Sequence, residues 1–121
     1  MIFTFLGHST FLVEQKGAKI LFDPFISGNP KAAGINPEDI QCDYILITHG
    51  HGDHIADAVP IAKKNEATCI ASFEIITWLG NQGIDKGHPM NLGGKWKFDF
   101  GTVKQVNALH SSSFPDGSYA G

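Results

Sequence analysis

Three histidines and one aspartate fall within six consecutive positions, in the run HGHGDH from His49 to His54. Imidazole nitrogens and carboxylate oxygens in such a cluster suit Zn²⁺, Mn²⁺ or iron. An extended backbone points His49 and His51 the same way, and the two glycines between the ligands let the chain bend closely around an ion. Asp53 and His54 then face a second position. Because four ligands on so short a loop would crowd one tetrahedral ion, the spacing predicts two adjacent metal sites.

This pattern is specific enough to carry a functional hypothesis. A chain of this length and composition contains it by chance on the order of once in a thousand. The alternative is a solvated polar loop without a ligand. The loop directly follows an apolar strand, however, and the carboxyl ends of such strands are where α/β proteins place their active sites.

Four residues do not complete two metal sites, so further candidates are needed. His110, followed by three serines, lies at the end of a predicted strand and is the expected additional ligand; the alternative is a surface or internally satisfied histidine. His8 either contacts a ligand or the substrate, or serves only in a turn. Asp23 either hydrogen-bonds a ligating histidine or forms an Asx turn before proline. His88 is expected to be structural or exposed.

The elements that must position these residues form one α/β domain without an internal repeat. Their predicted order is a β-meander, then β-α-β-α, then a β-hairpin that delivers His110. Predicted strands cover residues 2–6, 10–14, 19–22, 44–48, 68–71, 95–100 and 103–109, and predicted helices cover 57–65 and 73–81. A loop over 23–36 leads into a short helix capped by Asn36.

Composition excludes several classes of function. The 121 residues are 42% apolar and 17% charged, which favours a folded core over disorder. A net charge of −3 and the absence of arginine argue against nucleic-acid binding. No stretch is long enough to cross a membrane and no signal peptide is present, so we expect no membrane partner and a cytoplasmic protein. Cys42 and Cys69 are expected to be free thiols, with a disulfide the less favoured reading.

Taken together, these motifs resemble the metallo-β-lactamase superfamily. Within this superfamily, the sequence is most similar to a branch of metal-dependent hydrolases that resemble ascorbate-6-phosphate lactonases. The matching segments run the length of the chain: Gly7–Ser9, Asp23–Phe25 with Gly28–Pro30, Thr48–His54, Met90–Gly94 and Ala108–Ser112. The resemblance implies an αββα sandwich, of which the predicted elements would supply one half.

The resemblance also implies roles for the candidate residues. His49, His51 and His110 would hold a first divalent ion, Zn or Mn, and Asp53 and His54 a second, with Asp53 also assigned a catalytic role. Family members complete the dinuclear centre with a bridging aspartate and a last histidine from the C-terminal half, and residues 1–121 match the N-terminal half. Asp116 is not expected to be the bridging ligand.

The leading hypothesis is therefore a metal-dependent hydrolase of an ester, phosphoester or lactone bond in a small molecule, using a metal-activated hydroxide. Its partner would be a missing C-terminal half or a second copy of the chain in a homo-oligomer, because apolar residues such as Phe22, Phe98 and Phe114 exceed what a few short helices can cover. The alternative is a non-catalytic metal-binding or assembly module, or a decayed fragment. An RNA-processing role is disfavoured by the missing arginine.

Overall fold

The computed structural model describes residues 1–121, which form eight strands and three helices. The strands are β1 (Ile2–Gly7), β2 (Thr10–Gln15), β3 (Ala18–Phe22), β4 (Tyr44–Leu46), β5 (Thr68–Ser72), β6 (Gly87–Met90), β7 (Lys95–Lys97) and β8 (Thr102–Lys104). The helices are α1 (Gly52–Ile55), α2 (Ala58–Asn65) and α3 (Phe73–Asn81), with short 3₁₀ turns at Pro30–Ala32 and Pro37–Asp39. No helix combines the length and the hydropathy that a membrane crossing requires.

Six strands form one sheet in the order β1-β2-β3-β4-β5-β6. The first three are an antiparallel meander, whereas β3, β4, β5 and β6 run parallel to one another. Helices α1 and α2 connect β4 to β5, and α3 connects β5 to β6. The carboxyl ends of β3, β4 and β5 therefore meet at one edge of the sheet, and the histidine-rich loop begins there.

The two faces of this sheet are covered differently. Strand residues such as Leu21 and Ile45 face α2 and α3, where Ile61 and Ile75 complete the larger hydrophobic core. The opposite face carries a smaller cluster that includes Phe100 from the turn between β7 and β8. A helical layer, a central sheet and the start of a second β layer make up half of an αββα sandwich, which confirms the predicted fold class.

Helix α3 shows how local sequence sets these elements. Ser72 ends β5 and caps the helix, its hydroxyl accepting a hydrogen bond from the backbone N–H of Ile75 at 3.5 Å. Ile75 and Leu79 lie on one side of the helix and are buried against the sheet. The helix ends just before Gly83, which adopts the left-handed conformation (φ +85°).

The predicted C-terminal hairpin is wrong in extent. Strand β8 ends at Lys104, so His110 does not lie at the end of a strand. Backbone pairing continues only to Gln105, which bonds Gly93 and Gly94. Residues 106–109 lie in no strand, and Val106 and Leu109 are 67% and 99% exposed. An alternating pattern without a partner to pair or a core to cover cannot hold a strand.

Strand β6 was not predicted. Pro89 argues against a strand in the sequence, because proline has no backbone N–H to donate. β6 is the edge strand of the sheet, however, where a missing N–H costs no ladder hydrogen bond. His88 lies in this strand and packs against the rings of Trp96 and Phe98, with ring centroids 5.3 and 4.9 Å away. This packing fits the structural role expected for His88, which lies in a different strand from the histidine-rich loop.

The surplus apolar surface lies elsewhere than predicted. Phe100 and Phe114 are buried, and Phe22 is half-buried. The exposed aromatic side chains include Phe3 and Phe5, which lie on β1 and are 60% and 65% exposed. Their register with β2 places them on the same face of the sheet as the β7–β8 ribbon, beyond the reach of that ribbon.

Candidate metal centre

The histidine-rich loop is held to the sheet by Asp23, the residue that follows β3. Its carboxylate accepts hydrogen bonds from the backbone N–H of Thr48 (2.7 Å) and from the Thr48 hydroxyl (2.7 Å). Asp23 is 3% exposed and adopts a positive φ of 41°, a conformation that aspartate tolerates better than most residues. The buried carboxylate thus fixes the point at which the chain leaves β4.

Three histidines form the first cluster of ligand atoms. Nitrogen atoms of His49, His51 and His110 lie within 4.8 Å of one another. His49 Nε2 and His51 Nδ1 are 3.1 Å apart, close to the roughly 3.3 Å that separates two nitrogens bound to one tetrahedral zinc ion. The structure therefore brings together the three residues that the resemblance assigns to the first ion; their binding of metal remains a prediction.

The protonation state of His49 suits the binding of a cation, although imidazoles can themselves carry a positive charge. Burial, followed by the nearby His54 and His51 rings, lowers the pKa of His49 to about 4. His49 is therefore neutral at pH 7, and a neutral imidazole is the form that binds a metal. Three imidazole nitrogens within 4.8 Å of one another form a donor set that fits a divalent ion.

A second cluster lies beside the first. A ring nitrogen of His8, a carboxylate oxygen of Asp53 and a ring nitrogen of His54 all lie within 4.8 Å of one another. His8 Nε2 is 3.1 Å from Asp53 Oδ2. Burial raises the pKa of Asp53, but its own backbone N–H and the neighbouring His54 and His8 outweigh this and bring the pKa below its usual value. Asp53 is an anion at neutral pH.

Hydrogen bonds select which nitrogen each histidine presents. His54 Nδ1 lies 2.9 Å from Asp23 Oδ2 and must donate to it, which leaves Nε2 free as a ligand. The Thr48 hydroxyl donates to Asp23, so it accepts from His49 Nδ1 at 2.9 Å and leaves His49 Nε2 free. The two rings lie side by side, with centroids 4.1 Å apart. One carboxylate therefore orients a histidine of each cluster.

The end of the chain places His110. Phe114 is buried and stacks on Trp78 at 5.1 Å, and Ala120 is fully buried against the loop. A Cβ added at Gly50 would lie 2.4 Å from the Cβ of Ala120, so only glycine allows this approach. The Ser112 hydroxyl accepts from the backbone N–H of Gly50 at 3.2 Å. Packing of the terminal segment, not a strand, brings His110 to the loop.

Sequence reasoning missed the residues that link the ligands. Thr48 and Thr10 carry hydrogen bonds that set the loop, Thr10 donating to the Asp23 carbonyl at 2.7 Å and accepting from the Phe25 N–H at 3.0 Å. Ser111 Oγ lies 3.4 Å from His51 Nε2. The position of Thr48 directly before His49 is a sequence signal that could have identified it. No such signal identifies Thr10, because its partner Asp23 is 13 residues away.

Two groups of imidazole and carboxylate side chains at the carboxyl edge of half an αββα sandwich are the features of the metallo-β-lactamase class. The chain belongs to the family described as beta-lactamase superfamily domain, whose model matches residues 2–118.

Several relatives share most of this chain. It is 52% identical over 121 residues to a UPF0173 metal-dependent hydrolase of Flavobacterium johnsoniae, which covers 100% of this chain and 53% of the relative. A UPF0173 metal-dependent hydrolase of Staphylococcus carnosus is 52% identical over 114 residues, or 93% of this chain and 49% of the relative. The chain thus spans about half the length of the curated relatives it matches.

A solved structure agrees with the fold described above. Igni18, a metallo hydrolase from the hyperthermophilic archaeon Ignicoccus hospitalis, matches with a TM-score of 0.82 and 33% identity, over 98% of this chain and 52% of that one. The isothiocyanate hydrolase from Delia radicum gut bacteria matches with a TM-score of 0.64 and 21% identity, which supports the fold alone.

Proposed function

We propose that the chain carries the metal-binding part of a hydrolase that cleaves an ester, phosphoester or lactone bond in a small molecule. The observation that carries this proposal is the convergence of His49, His51 and His110 next to a second group of ligand atoms. The resemblance to metal-dependent hydrolases of other organisms supports it.

The two clusters divide the work by position. His49, His51 and His110 would hold a first ion, and Asp53 and His54 a second, each ion being Zn²⁺ or Mn²⁺. Two such ions, when bound, supply the Lewis acidity that polarises a scissile bond and makes water a competent nucleophile at neutral pH. Asp53, which is exposed and anionic, would contact the reacting groups.

Completion of the site requires residues beyond those described. Asp116 lies in a turn, where its carboxylate accepts from the N–H and hydroxyl of Ser118 at 2.9 and 2.6 Å. It therefore does not bridge the two clusters. We propose that the remaining ligands come from further residues of a longer polypeptide or from a partner subunit, in the cytosol, where the buried free thiols of Cys42 and Cys69 stay reduced.

The test replaces one ligand and measures metal and fold together. His51→Ala should abolish binding of one ion in a calorimetric titration with Zn²⁺ or Mn²⁺ and abolish any hydrolysis of phosphodiester and lactone substrates. Circular dichroism should be unchanged, because β4 is anchored by apolar burial and not by the ion. His88→Ala is the matched control, since this histidine packs on aromatic rings away from the loop.

The outcomes separate the alternatives. Metal binding without hydrolysis, by both this chain and any longer protein that contains it, would favour a non-catalytic module. Absence of metal binding would contradict the proposal altogether.

A further inference from the structure

We infer that His8 is a ligand of the second metal ion, together with Asp53 and His54. This inference rests on the proposed function, since it concerns the same metal centre. It adds a third protein ligand to a site for which sequence reasoning assigned only two, and assigns a metal to a residue that could equally have been a turn residue.

The first argument is the geometry of the three ligand atoms. His8 Nε2 and Asp53 Oδ2 are 3.1 Å apart, and both lie within 4.8 Å of a His54 ring nitrogen. Two donors about 2.1 Å from one ion, at angles of about 90 to 110°, are separated by about 3.0 to 3.4 Å. The observed distance therefore lies within the range of separations that a shared ion allows.

The second argument is that contacts outside the cluster fix the orientation of the His54 and His8 rings. His54 Nδ1 is bonded to Asp23 at 2.9 Å, so only its Nε2 can face the cluster. The His8 ring packs edge-on against Phe25 and His54, with ring centroids 5.8 and 5.1 Å away. These contacts direct a ring that is otherwise exposed toward Asp53.

The third argument is the conformation of His8 itself. It lies in the turn between β1 and β2 with a φ of +53°, a left-handed conformation that is unfavourable for a residue other than glycine. The preceding Gly7 fits against the backbone of Lys31, where an added Cβ would lie 3.1 Å from the Lys31 carbonyl carbon. The turn is thus fixed from outside, and it holds His8 over the loop.

The test variant is His8→Gly, because glycine accepts the positive φ and the turn should fold unchanged. The probe is Co²⁺, titrated into the metal-free 121-residue chain and followed by calorimetry and by proton NMR of hyperfine-shifted imidazole signals. The wild-type chain should bind two ions. His8→Gly should retain the first and bind the second at least about 10-fold more weakly, with loss of one set of shifted imidazole signals.

His88→Gln provides the matched control and should bind both ions as the wild type does. Equal second-site affinity in His8→Gly and wild type, or a wild type that binds only one ion, would overturn the assignment of His8. Such results leave the proposed hydrolase function standing, because that function fails if His49, His51 and His110 bind no ion or if metal binding is not accompanied by hydrolysis.

Discussion

The carboxylate of Asp23 contacts both ligand clusters through hydrogen bonds of 2.7 to 2.9 Å. It binds His54 directly and reaches His49 through the Thr48 hydroxyl. A buried carboxylate of this kind fixes the tautomer and the direction of a metal-binding imidazole. Both proposed metal sites should therefore depend on a residue that is not itself a proposed ligand.

We predict that Asp23→Asn weakens metal binding at both sites by about 10- to 100-fold. The amide keeps only one of the two acceptor oxygens. Its NH₂ group therefore opposes either the Thr48 backbone N–H at the Oδ1 position or the Thr48 hydroxyl and the His54 Nδ1–H at the Oδ2 position. Asp57→Asn is the matched control, because Asp57 is an equally buried carboxylate that binds the backbone N–H groups of Ile26 and Ser27 and no histidine. Equal losses in the two variants, measured by calorimetric titration, would show that Asp23 acts only through general stability.

A second prediction at this scale concerns acid stability of the metal-free chain. Burial and the neighbouring imidazoles lower the pKa of His49 to about 4, whereas an unfolded histidine titrates near 6.5. Between these values the unfolded state binds a proton that the folded state does not. The free energy of unfolding should therefore hold above pH 6.5 and fall as the pH drops from 6.5 toward 4.

The measurement is urea unfolding at several pH values in the presence of a chelator. His49→Gln should show a smaller decrease over this window, while its carboxylates titrate as in the wild type. An identical pH dependence in the two proteins would mean that His49 is not held neutral.

Among the structural elements, the segment of residues 111–121 positions His110 in the first cluster. Gly50→Ala places a Cβ 2.4 Å from that of Ala120 and should push the segment off the loop. We expect at least about 10-fold weaker binding of the first ion, by analogy with loss of a group that orients a ligand, and faster proteolysis between residues 105 and 121. Gly52→Ala is the matched control, since its added Cβ meets nothing nearer than 3.7 Å.

A contradictory result would be equal metal affinity in the Gly50→Ala and Gly52→Ala variants. That outcome would mean that His110 reaches the loop without the contact between Gly50 and Ala120.

Elements with strong local signals were predictable from sequence. The apolar run of β4 and the capped, amphipathic α3 stand nearly as predicted, because burial on both faces and a serine cap leave clear patterns. The route of the chain to His110 was not predictable, because it depends on Phe114 and Ala120 docking onto residues far away in sequence. Likewise, His8 and Asp53 meet across 45 positions (53 − 8), a contact that no local pattern encodes.

At the scale of the whole molecule, the face of β1 that carries Phe3 and Phe5 is uncovered. Phe3 stacks on Phe11 at 4.9 Å, and Phe11 stacks on Phe22 at 4.5 Å, so the exposed ring of Phe3 continues a row of half-buried aromatic rings. Contiguous apolar surface of this kind favours association. We propose that a second copy of the chain, or further residues of a longer polypeptide, cover it.

We expect the isolated chain to self-associate and to bind a hydrophobic dye. Replacing both Phe3 and Phe5 with serine should reduce both properties, as measured by light scattering and dye fluorescence. Ile2→Ser is the matched control, because Ile2 is 60% exposed on the same strand but points to the other face. A wild-type chain that is a monodisperse monomer without dye binding would contradict the proposal.

The positive φ of His8 lowers the stability of the folded chain, so the residue proposed as a ligand is not the one that stabilises the turn best. Glycine would hold the same turn at lower conformational cost, so His8→Gly should melt at a higher temperature than the wild type. A directed-evolution experiment that rewards thermal resistance alone would therefore discard this histidine early. Variants recovered from such a selection would be hardier proteins with a poorer metal centre, and histidine at position 8 would persist only where the selection also demanded its chemistry.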